Sequence, residues 1–422
     1  MPTIRIMMHM ITKNISTVER SAIISLSLIM SLRMIGLFMV LPLFVLYAEK
    51  LTGKTDVLMG IAIGIYGLSQ ALCQIPLGAL SDRIGRKPVI FIGLLIFSVG
   101  CLLAGSALSI KQMIVGRLLQ GAGAIGSTTL ALLSDLTSEQ SRTVSMAIIG
   151  MAIGLSFSLA MLLGPMLAKW FTFSALFYLA GLLGLFGMII LFVLTPSPPP
   201  ILSHRMITPT FHDLGQLFMH RQLMILNSGI FTLHAIFTAS FVIIPIRLAH
   251  FLHLAVHRQW LIYLPTLFIA FVIALLSIGI AERQRQIKSY LLGSIVMLGL
   301  SELGFWMLPT SAGLTALSLC AFFASFSILE ALHPSLVSKI APSHCKGSAL
   351  GLYSCSQFLG IFAGGTIGGW LLGQFPSLGI FLFCITLSLI WLFLAIFIHP
   401  PYTQSKLILG ETSWHAELTK SF

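Results

Sequence analysis

The feature that most constrains this chain is a series of twelve apolar runs, each long enough to cross a bilayer as a helix. A bilayer core of about 30 Å takes roughly 20 apolar residues in helical form. Charged residues make up only 9% of the chain, against about 25% in soluble domains. Because the runs do not alternate apolar and polar residues, as barrel strands do, the sequence predicts an all-α membrane protein with twelve transmembrane helices. The runs cover residues 21–47, 57–78, 88–107, 110–133, 143–168, 171–195, 223–248, 259–281, 288–308, 312–337, 347–373 and 377–399.

The chain divides into two halves at its longest polar interruption, Thr195 to Gln222. This segment begins with TPSPPP, which cannot continue a helix. The halves look like diverged copies, since LLSDLTSEQSR (Leu132–Arg142) aligns with LVSKIAPSHCK (Leu336–Lys346). Two six-helix halves around a midplane site are a secondary-transporter architecture. We therefore expect two pseudo-symmetric six-helix bundles, at 21–195 and 223–399, with an N-terminal segment 1–20, a linker 196–222 and a tail 400–422.

The distribution of basic residues predicts the orientation of the chain. Of the 24 Lys and Arg, two lie inside spans, and most of the rest fall on the side of both termini, which indicates cytoplasmic termini. The net charge of +12 is thus explained by topology and gives no reason to expect nucleic acid. Ser16 and Glu19 fit a capping box that opens an uncleaved first span. The basic residues on the other side are Lys50, Lys54, Lys111, Lys169, Arg247 and Arg258.

The loop between the second and third spans is GALSDRIGRKP (Gly78–Pro88). Its glycines and its aspartate are not explained by a simple basic loop. Gly78 allows close helix packing and Gly85 allows a sharp turn, while Asp82 is placed to face a cation or a helix N-terminus. A second glycine pattern, Gly121-x-Gly123-x-x-Gly126, matches the dinucleotide fingerprint only in its letters, because it lies within an apolar run without a preceding strand. We interpret it as part of one continuous helix, with the glycines forming a helix–helix groove.

GALSDRIGRKP resembles the signature loop of the major facilitator superfamily. RLLQGAGA, which begins at Arg117, is similar to the fourth-helix motif of that family, and GLSFSLAMLLGP is similar in part to its fifth-helix antiporter motif. The stretches LRMIGLFMVLPLFVLYA, GIAIGIYGLSQA and ILEALHPSLVSKIAP narrow the match to bacterial inner-membrane members. The resemblance covers roughly residues 20–400 and implies the major facilitator fold, alternating access and a link between Arg117 and proton coupling. It also implies helix-packing roles for Gly121, Gly154, Gly164 and Pro165. One such member carries a further small soluble domain at its C-terminus, which we expect to be missing here because only a short tail follows the last span.

Ionisable groups inside a bilayer are costly and are functional candidates. Glu330 in the tenth span is the main candidate for a proton carrier; the alternative is a static, hydrogen-bonded acid. Glu302 in the ninth span is expected to be structural. Arg33 in the first span either has a functional role, by binding an anion or by lowering the proton affinity of a nearby carboxylate, or forms a fixed salt bridge, and both interpretations stay open. His234 in the seventh span ionises near neutral pH but is also interpretable as a hydrogen-bonded core residue.

Neutral polar side chains recur at helical spacing in the second and eleventh spans. They suit a central cavity for an amphipathic ligand, although they are equally interpretable as hydrogen bonds between helices. His250, His253 and His257 form a helical pattern without a carboxylate or thiol nearby, so we expect no metal site. Neither a cofactor nor a nucleophile–base pair is indicated, and an enzyme is not expected. The cavity residues are Tyr66, Gln70, Gln74, Tyr353 and Gln357.

Charges at the ends of the spans predict a cytoplasmic gate. Arg83 or Arg86 is expected to pair with Asp135, with Asp82 facing the start of the eleventh span, and protonation of Asp135 would release the latch. Glu282 and Lys339 suggest a latch of reversed polarity in the second half.

We expect a monomeric transporter of the bacterial inner membrane that uses the proton gradient to export small amphipathic compounds. A proton symporter or uniporter for metabolite or sugar uptake, and a transport-inactive membrane receptor, are the alternatives.

Overall fold

The computed structural model describes residues 16–197, 211–250, 252–307, 311–342, 345–375 and 378–399, most of which are helical. Eleven helices among them are long and apolar enough to cross a membrane, and a broken fourth span completes the twelve predicted crossings. A short helix, Phe211–Met219, lies within the predicted linker. The spans, from first to twelfth, are Thr17–Phe38 with Leu41–Ala48, Asp56–Ile84, Arg86–Gly105, Ile110–Ala122 with Gly126–Leu136, Glu139–Leu167, Phe173–Val193, Arg221–His250, Trp260–Arg283, Ile287–Met307, Ala312–Ile340, Lys346–Gln374 and Leu378–Ala395.

The fourth span differs from the sequence prediction of one continuous helix. One helix ends at Ala122 and the next begins only at Gly126. At the break, a Cβ on Gly123 would collide with the backbone of the third span, including the amide nitrogen of Phe97. The prediction was wrong because glycine permits both a close approach to a neighbouring helix and a departure from helical geometry at the same residue.

The start of the first span is fixed by a polar cap that also reaches the fifth span. The Ser16 hydroxyl accepts from the Glu19 amide at 3.2 Å, and the Glu19 carboxylate accepts from the Ser16 amide at 2.8 Å, which confirms the capping box. The second carboxylate oxygen of Glu19 accepts from the Ser138 amide at 2.8 Å and from the Ser141 hydroxyl at 2.6 Å. This tie between the first and fifth spans could not be predicted from spacing along the chain.

The spans of both bundles end at two faces of the protein, which we define by their residues. The terminal face carries the start of the described chain at Ser16, the turn at Gly85 and the end of the twelfth span near His399. The distal face carries the loop around Thr52 and the turn at Trp170. Gly85 has a φ of 98°, the left-handed region that glycine tolerates, as the predicted sharp turn requires.

In the distal half, the second and eleventh spans meet backbone to backbone across the bundle interface. A Cβ on Gly60 would collide with the backbone of Gly365 and Gly369, and one on Gly64 would collide with the backbone of Phe362. Small residues permit such close approach between transmembrane helices. We call this contact the distal glycine seam. It closes the interface between the bundles on the distal side.

A second glycine stripe on the eleventh span packs within its own bundle. Added Cβ atoms on Gly360 and Gly364 would collide with the backbone of Phe231 and Ala235 in the seventh span. The eleventh span is therefore held against the seventh by one face and against the second by another.

The two helices of the distal glycine seam separate toward the terminal face. On the way to that face, the Cys355 thiol donates to the Ala71 carbonyl oxygen at 3.5 Å. One turn further along the second span, Ile75 is 55% exposed, and Cβ atoms on Gly351 and Gly347 of the eleventh span would meet nothing within 4 Å. The interface between the bundles is thus closed at the distal face and open toward the terminal face.

Candidate functional site

A carboxylate, an amide and an imidazole from three spans of the second bundle meet near mid-depth. The Gln357 amide nitrogen donates to Glu330 Oε1 at 2.9 Å and lies 2.9 Å from His234 Nε2. His234 Nδ1 lies 3.3 Å from the Ile230 carbonyl oxygen. That carbonyl can only accept, so Nδ1 carries the hydrogen and the neutral ring leaves Nε2 as the acceptor for Gln357.

This Glu330 cluster is open on one side. The side chain of Glu330 is 37% exposed, whereas that of His234 is 7% exposed, and Glu330 Oε2 lies 3.7 Å from His234 Nε2. That distance is too long for a hydrogen bond, but a small side-chain rotation could close it. The arrangement can therefore hold a proton on the carboxylate or pass it to the imidazole.

An aromatic contact between the bundles lies directly beside the Glu330 cluster. The Phe157 ring of the fifth span lies 5.4 Å from the Phe237 ring and 5.8 Å from the Phe326 ring of the second bundle, between centroids. Phe326 is one helical turn from Glu330 on the distal side, and its ring lies 5.5 Å from that of His234. Sequence reasoning missed Phe157 and Phe326, because phenylalanine is too common in these spans for its position alone to indicate a cavity.

Arg117 is bound entirely within the first bundle. Its guanidinium donates to the carbonyl oxygens of Ala62 and Ile63, each at 3.3 Å, and to Gln120 Oε1 at 2.7 Å. The guanidinium carbon also lies 4.4 Å from the centroid of the Tyr66 ring. These contacts clamp the fourth span onto the second and account for all three guanidinium nitrogens.

Arg33 is buried beside Arg117 in the same bundle but has fewer partners. Its Nη2 donates to Gln70 Oε1 at 3.0 Å, and its guanidinium lies over the Phe97 ring at 5.6 Å. Within the described part of the chain, neither Nε nor Nη1 has a hydrogen-bond partner, and no carboxylate lies within ion-pair distance. The salt-bridge interpretation of Arg33 is therefore not supported.

The cavity role predicted for the polar face of the second span is not seen. Tyr66, Gln70 and Gln74 are all at most 5% exposed. Tyr66 and Gln70 serve instead as partners of Arg117 and Arg33. The helical spacing correctly placed the three residues on one face, but that face turns into the first bundle because two buried arginines need polar neighbours there. In the eleventh span, Gln357 belongs to the Glu330 cluster, and Tyr353 is buried.

Glu302 lies apart from this site, within the core of the second bundle. It is fully buried, and its Oε1 accepts from the Ser240 hydroxyl at 2.6 Å. No described group of three or more His, Cys, Asp and Glu residues could hold a metal ion.

The motif loop forms a charge cluster around Arg86 at the terminal face. Arg86 Nε donates to Asp135 Oδ2 at 3.1 Å, and Nη1 lies 2.5 Å from Asp82 Oδ1 and donates to the Ser81 hydroxyl at 2.6 Å. Of the two predicted arginines it is therefore Arg86, and not Arg83, that contacts Asp135. Asp82 pairs with Arg86 and not with the start of the eleventh span.

The location of this cluster corrects the predicted latch. Arg86, Asp82 and Asp135 all belong to spans two, three and four, so their contacts join parts of a single bundle. The contacts are present while the terminal face is open. An ion pair within one bundle cannot by itself hold the two bundles together, so any gating role must act through the positions of these three spans.

Exchanging the charges of Arg86 and Asp135 tests the direct pair. We expect Arg86→Asp and Asp135→Arg each to reduce transport, and the double variant to recover part of the loss. Recovery should be incomplete, because the new aspartate at 86 would face Asp82 one turn away. Transport by the three variants in vesicles, at matched expression, is the measurement. A double variant no better than either single one would contradict the importance of the pair.

Other predicted gate and packing residues have mixed outcomes. A Cβ on Gly164 would collide with the Met39 carbonyl, and one on Gly121 with the Tyr66 carbonyl, so both glycines lie at close helix contacts. The packing role predicted for Gly154 is not seen, because its Cα faces open space on the fifth span. Glu282 and Lys339 form no ion pair with each other among the described residues, so a second latch stays a prediction.

Comparison with known proteins identifies the family. The family model of the Major Facilitator Superfamily matches residues 26–365. The chain belongs to the Major Facilitator Superfamily. It is 40% identical over 388 residues to the inner membrane transport protein YajR of Escherichia coli, covering 92% of this chain and 85% of that protein. It is also 29% identical over 153 residues, 36% of this chain and 39% of the relative, to the multidrug resistance protein MdtL of Salmonella typhi.

Solved structures agree with this assignment at the level of the fold. A bacterial homologue of the human lysosomal transporter Spinster, in an inward-facing and occupied conformation, superposes with a TM-score of 0.71 at 15% identity, covering 91% of this chain and 97% of that one. The chain is therefore a multi-pass membrane transporter of the Major Facilitator Superfamily and not an enzyme.

Proposed function

We propose that this transporter exports small amphipathic compounds from the bacterial cytoplasm in exchange for protons. The observation that carries the proposal is the Glu330 cluster, in which an acidic side chain near mid-depth is 37% exposed while its Oε2 is buried and has no hydrogen-bond partner among the described residues. A carboxylate in that position can be protonated in one orientation of the transporter and deprotonated in the other. The proton gradient would then supply the energy.

The aromatic contact beside Glu330 supports an amphipathic substrate. Phe157, Phe237 and Phe326 present apolar surface from both bundles, next to a single acidic group. Binding sites for such compounds combine apolar and aromatic walls with a few polar groups. A substrate that contacts both bundles would also stabilise their closure around it. The partial likeness to a multidrug resistance protein favours the same substrate class.

The orientation proposed here follows from the basic residues. The terminal face carries most of the Lys and Arg and would face the cytoplasm, so the structure would represent the state that is open inward. In that state Glu330 would release its proton to the cytoplasm and the cavity would take up a substrate.

Proton coupling can be tested with the purified protein in liposomes that contain a pH-sensitive dye. Cationic dyes, sugars and amino acids are added in turn under an imposed pH gradient, so that the assay also separates export from uptake. We expect substrate-dependent proton flux in the wild type and its loss in Glu330→Gln, since the amide cannot carry the proton.

Glu302→Gln is the matched control, because it makes the same change at a buried acid of the same bundle that lies outside the cluster. Flux should persist in this variant. Equal flux in the wild type and Glu330→Gln would contradict the assignment of the proton to Glu330.

A further inference from the structure

A pocket of about 330 Å³ lies on the distal face, away from the Glu330 cluster. Its walls come from both bundles: the end of the fifth span supplies one side, and the turn before the eighth span with the first turn of that span supplies the other. The polar and aromatic lining consists of Lys169, Trp170, His257, Arg258 and Trp260. Nothing in the proposed transport cycle uses this pocket.

The basic groups of the pocket lack an acidic partner. Neither Lys169 nor Arg258 takes part in an ion pair among the described residues. The described acids of the distal face, Glu49 and Asp56, both lie within 4.0 Å of Lys54. The pocket therefore presents positive charge that the described protein does not neutralise.

The two tryptophans place the pocket at the boundary between lipid and water. Trp170 follows the end of the fifth span, and Trp260 is the first residue of the eighth span. Tryptophan concentrates at the level of the lipid headgroups, where its ring is amphipathic. Trp170 is 69% exposed, and its ring centroid lies 5.2 Å from the Lys169 ammonium, so an apolar surface and a cation lie side by side.

The cations of the pocket come from opposite bundles. Lys169 belongs to the first bundle and Arg258 to the second, and closure of the distal face brings them to one pocket. Two like charges there oppose closure. An anion held between the two cations would attract both of them, and this attraction would favour the closed distal face.

We propose that this pocket binds a phosphate anion, presented by the headgroup of an anionic phospholipid, and that the bound phosphate links the two bundles at the distal face. Basic pockets between transmembrane helices suit lipid headgroups, and arginine offers the donor geometry that phosphate accepts. The apolar side chains of Met166 and Leu261, which complete the lining, lie where the acyl chains would leave the pocket. The phosphate could also come from solution, and the experiment separates the two sources.

The test uses the full-length protein in a neutral detergent. Phosphatidylglycerol, phosphatidylcholine or inorganic phosphate is added, and lipid binding is measured by native mass spectrometry and thermal unfolding by intrinsic fluorescence. We expect phosphatidylglycerol to bind and to raise the unfolding temperature more than phosphatidylcholine. The double variant Lys169→Gln/Arg258→Gln should lose roughly 25-fold in affinity, because each basic residue near an anionic headgroup contributes about fivefold.

The matched control is Lys50→Gln/Lys111→Gln, which removes the same charge from the same face outside the pocket. An equal loss of affinity in this control would overturn the site, since it would show attraction to the whole face. Wild-type protein that does not distinguish phosphatidylglycerol from phosphatidylcholine and is not stabilised by inorganic phosphate would also overturn it. Saturable stabilisation by inorganic phosphate alone, lost in the pocket variant and kept in the control, would support the phosphate site and assign its ligand to solution.

Discussion

Replacing Gly60 with leucine should prevent closure of the distal face and abolish transport. Even a single added Cβ at this position would collide with the backbone of Gly365 and Gly369. Overpacking costs about 1–3 kcal/mol where neighbouring side chains can move. The neighbours of Gly60 are backbone atoms, which move less readily than side chains, so the cost here should be no smaller. Because each 1.4 kcal/mol changes an equilibrium tenfold, the state with a closed distal face should lose most of its population.

Distances between spin labels on the two bundles would check this result. Labels at Lys111 and Phe375, both on the distal face, should move apart in Gly60→Leu, while the protein should remain folded. Gly279→Leu in the eighth span is the control, because a Cβ there meets nothing within 4 Å. A variant at Gly60 that keeps the wild-type distances and transport rate would show that the distal glycine seam is not required for closure.

Replacing Arg117 with leucine should destabilise the first bundle strongly, whereas the same change at Arg33 should have little effect. Arg117 makes three hydrogen bonds that join the fourth span to the second and to its own Gln120. Hydrogen bonds to charged groups contribute about 1.5–3 kcal/mol each. Arg33 makes a single such bond, to Gln70. Both arginines are buried without a carboxylate partner among the described residues, so either replacement relieves a desolvation cost, and the contrast comes from the number of hydrogen bonds lost.

Thermal unfolding of the two variants in detergent would measure this contrast. We expect Arg117→Leu to lower the unfolding temperature by about 5 °C or more, and Arg33→Leu to leave it within a few degrees. Arg117→Lys should resemble Arg117→Leu, because an ammonium group lacks the planar arrangement of donors. Equal destabilisation at both positions would mean that Arg33 has a charge partner in the folded protein.

The fold was largely predictable because it depends on apolar length, which a sequence shows directly. The break at Gly123 was not predictable, since it depends on how closely the third span approaches. The same limit applied to the second span, where helical spacing put Tyr66 and Gln70 on one face but could not show that Arg117 and Arg33 lie opposite that face.

The candidate site was predictable where a residue type was rare. Only Glu302 and Glu330 lay well inside a span, so the cost of burial reduced the candidates to two, and the family resemblance around Glu330 favoured that residue. Phe157 and Phe326 could not be chosen among so many phenylalanines. The distal glycine seam had a visible signal in the spacing of Gly60 and Gly64, but the spacing did not show that their partner lay in the other half.

The broken fourth span has a consequence for how the chain enters the membrane during synthesis. Its two helices have 13 and 11 residues, each too short to cross a bilayer core alone, and the first carries the charge of Arg117. That charge is covered by carbonyl groups of the second span. We therefore expect the fourth span to enter the lipid alongside the second, which precedes it in the chain and emerges first.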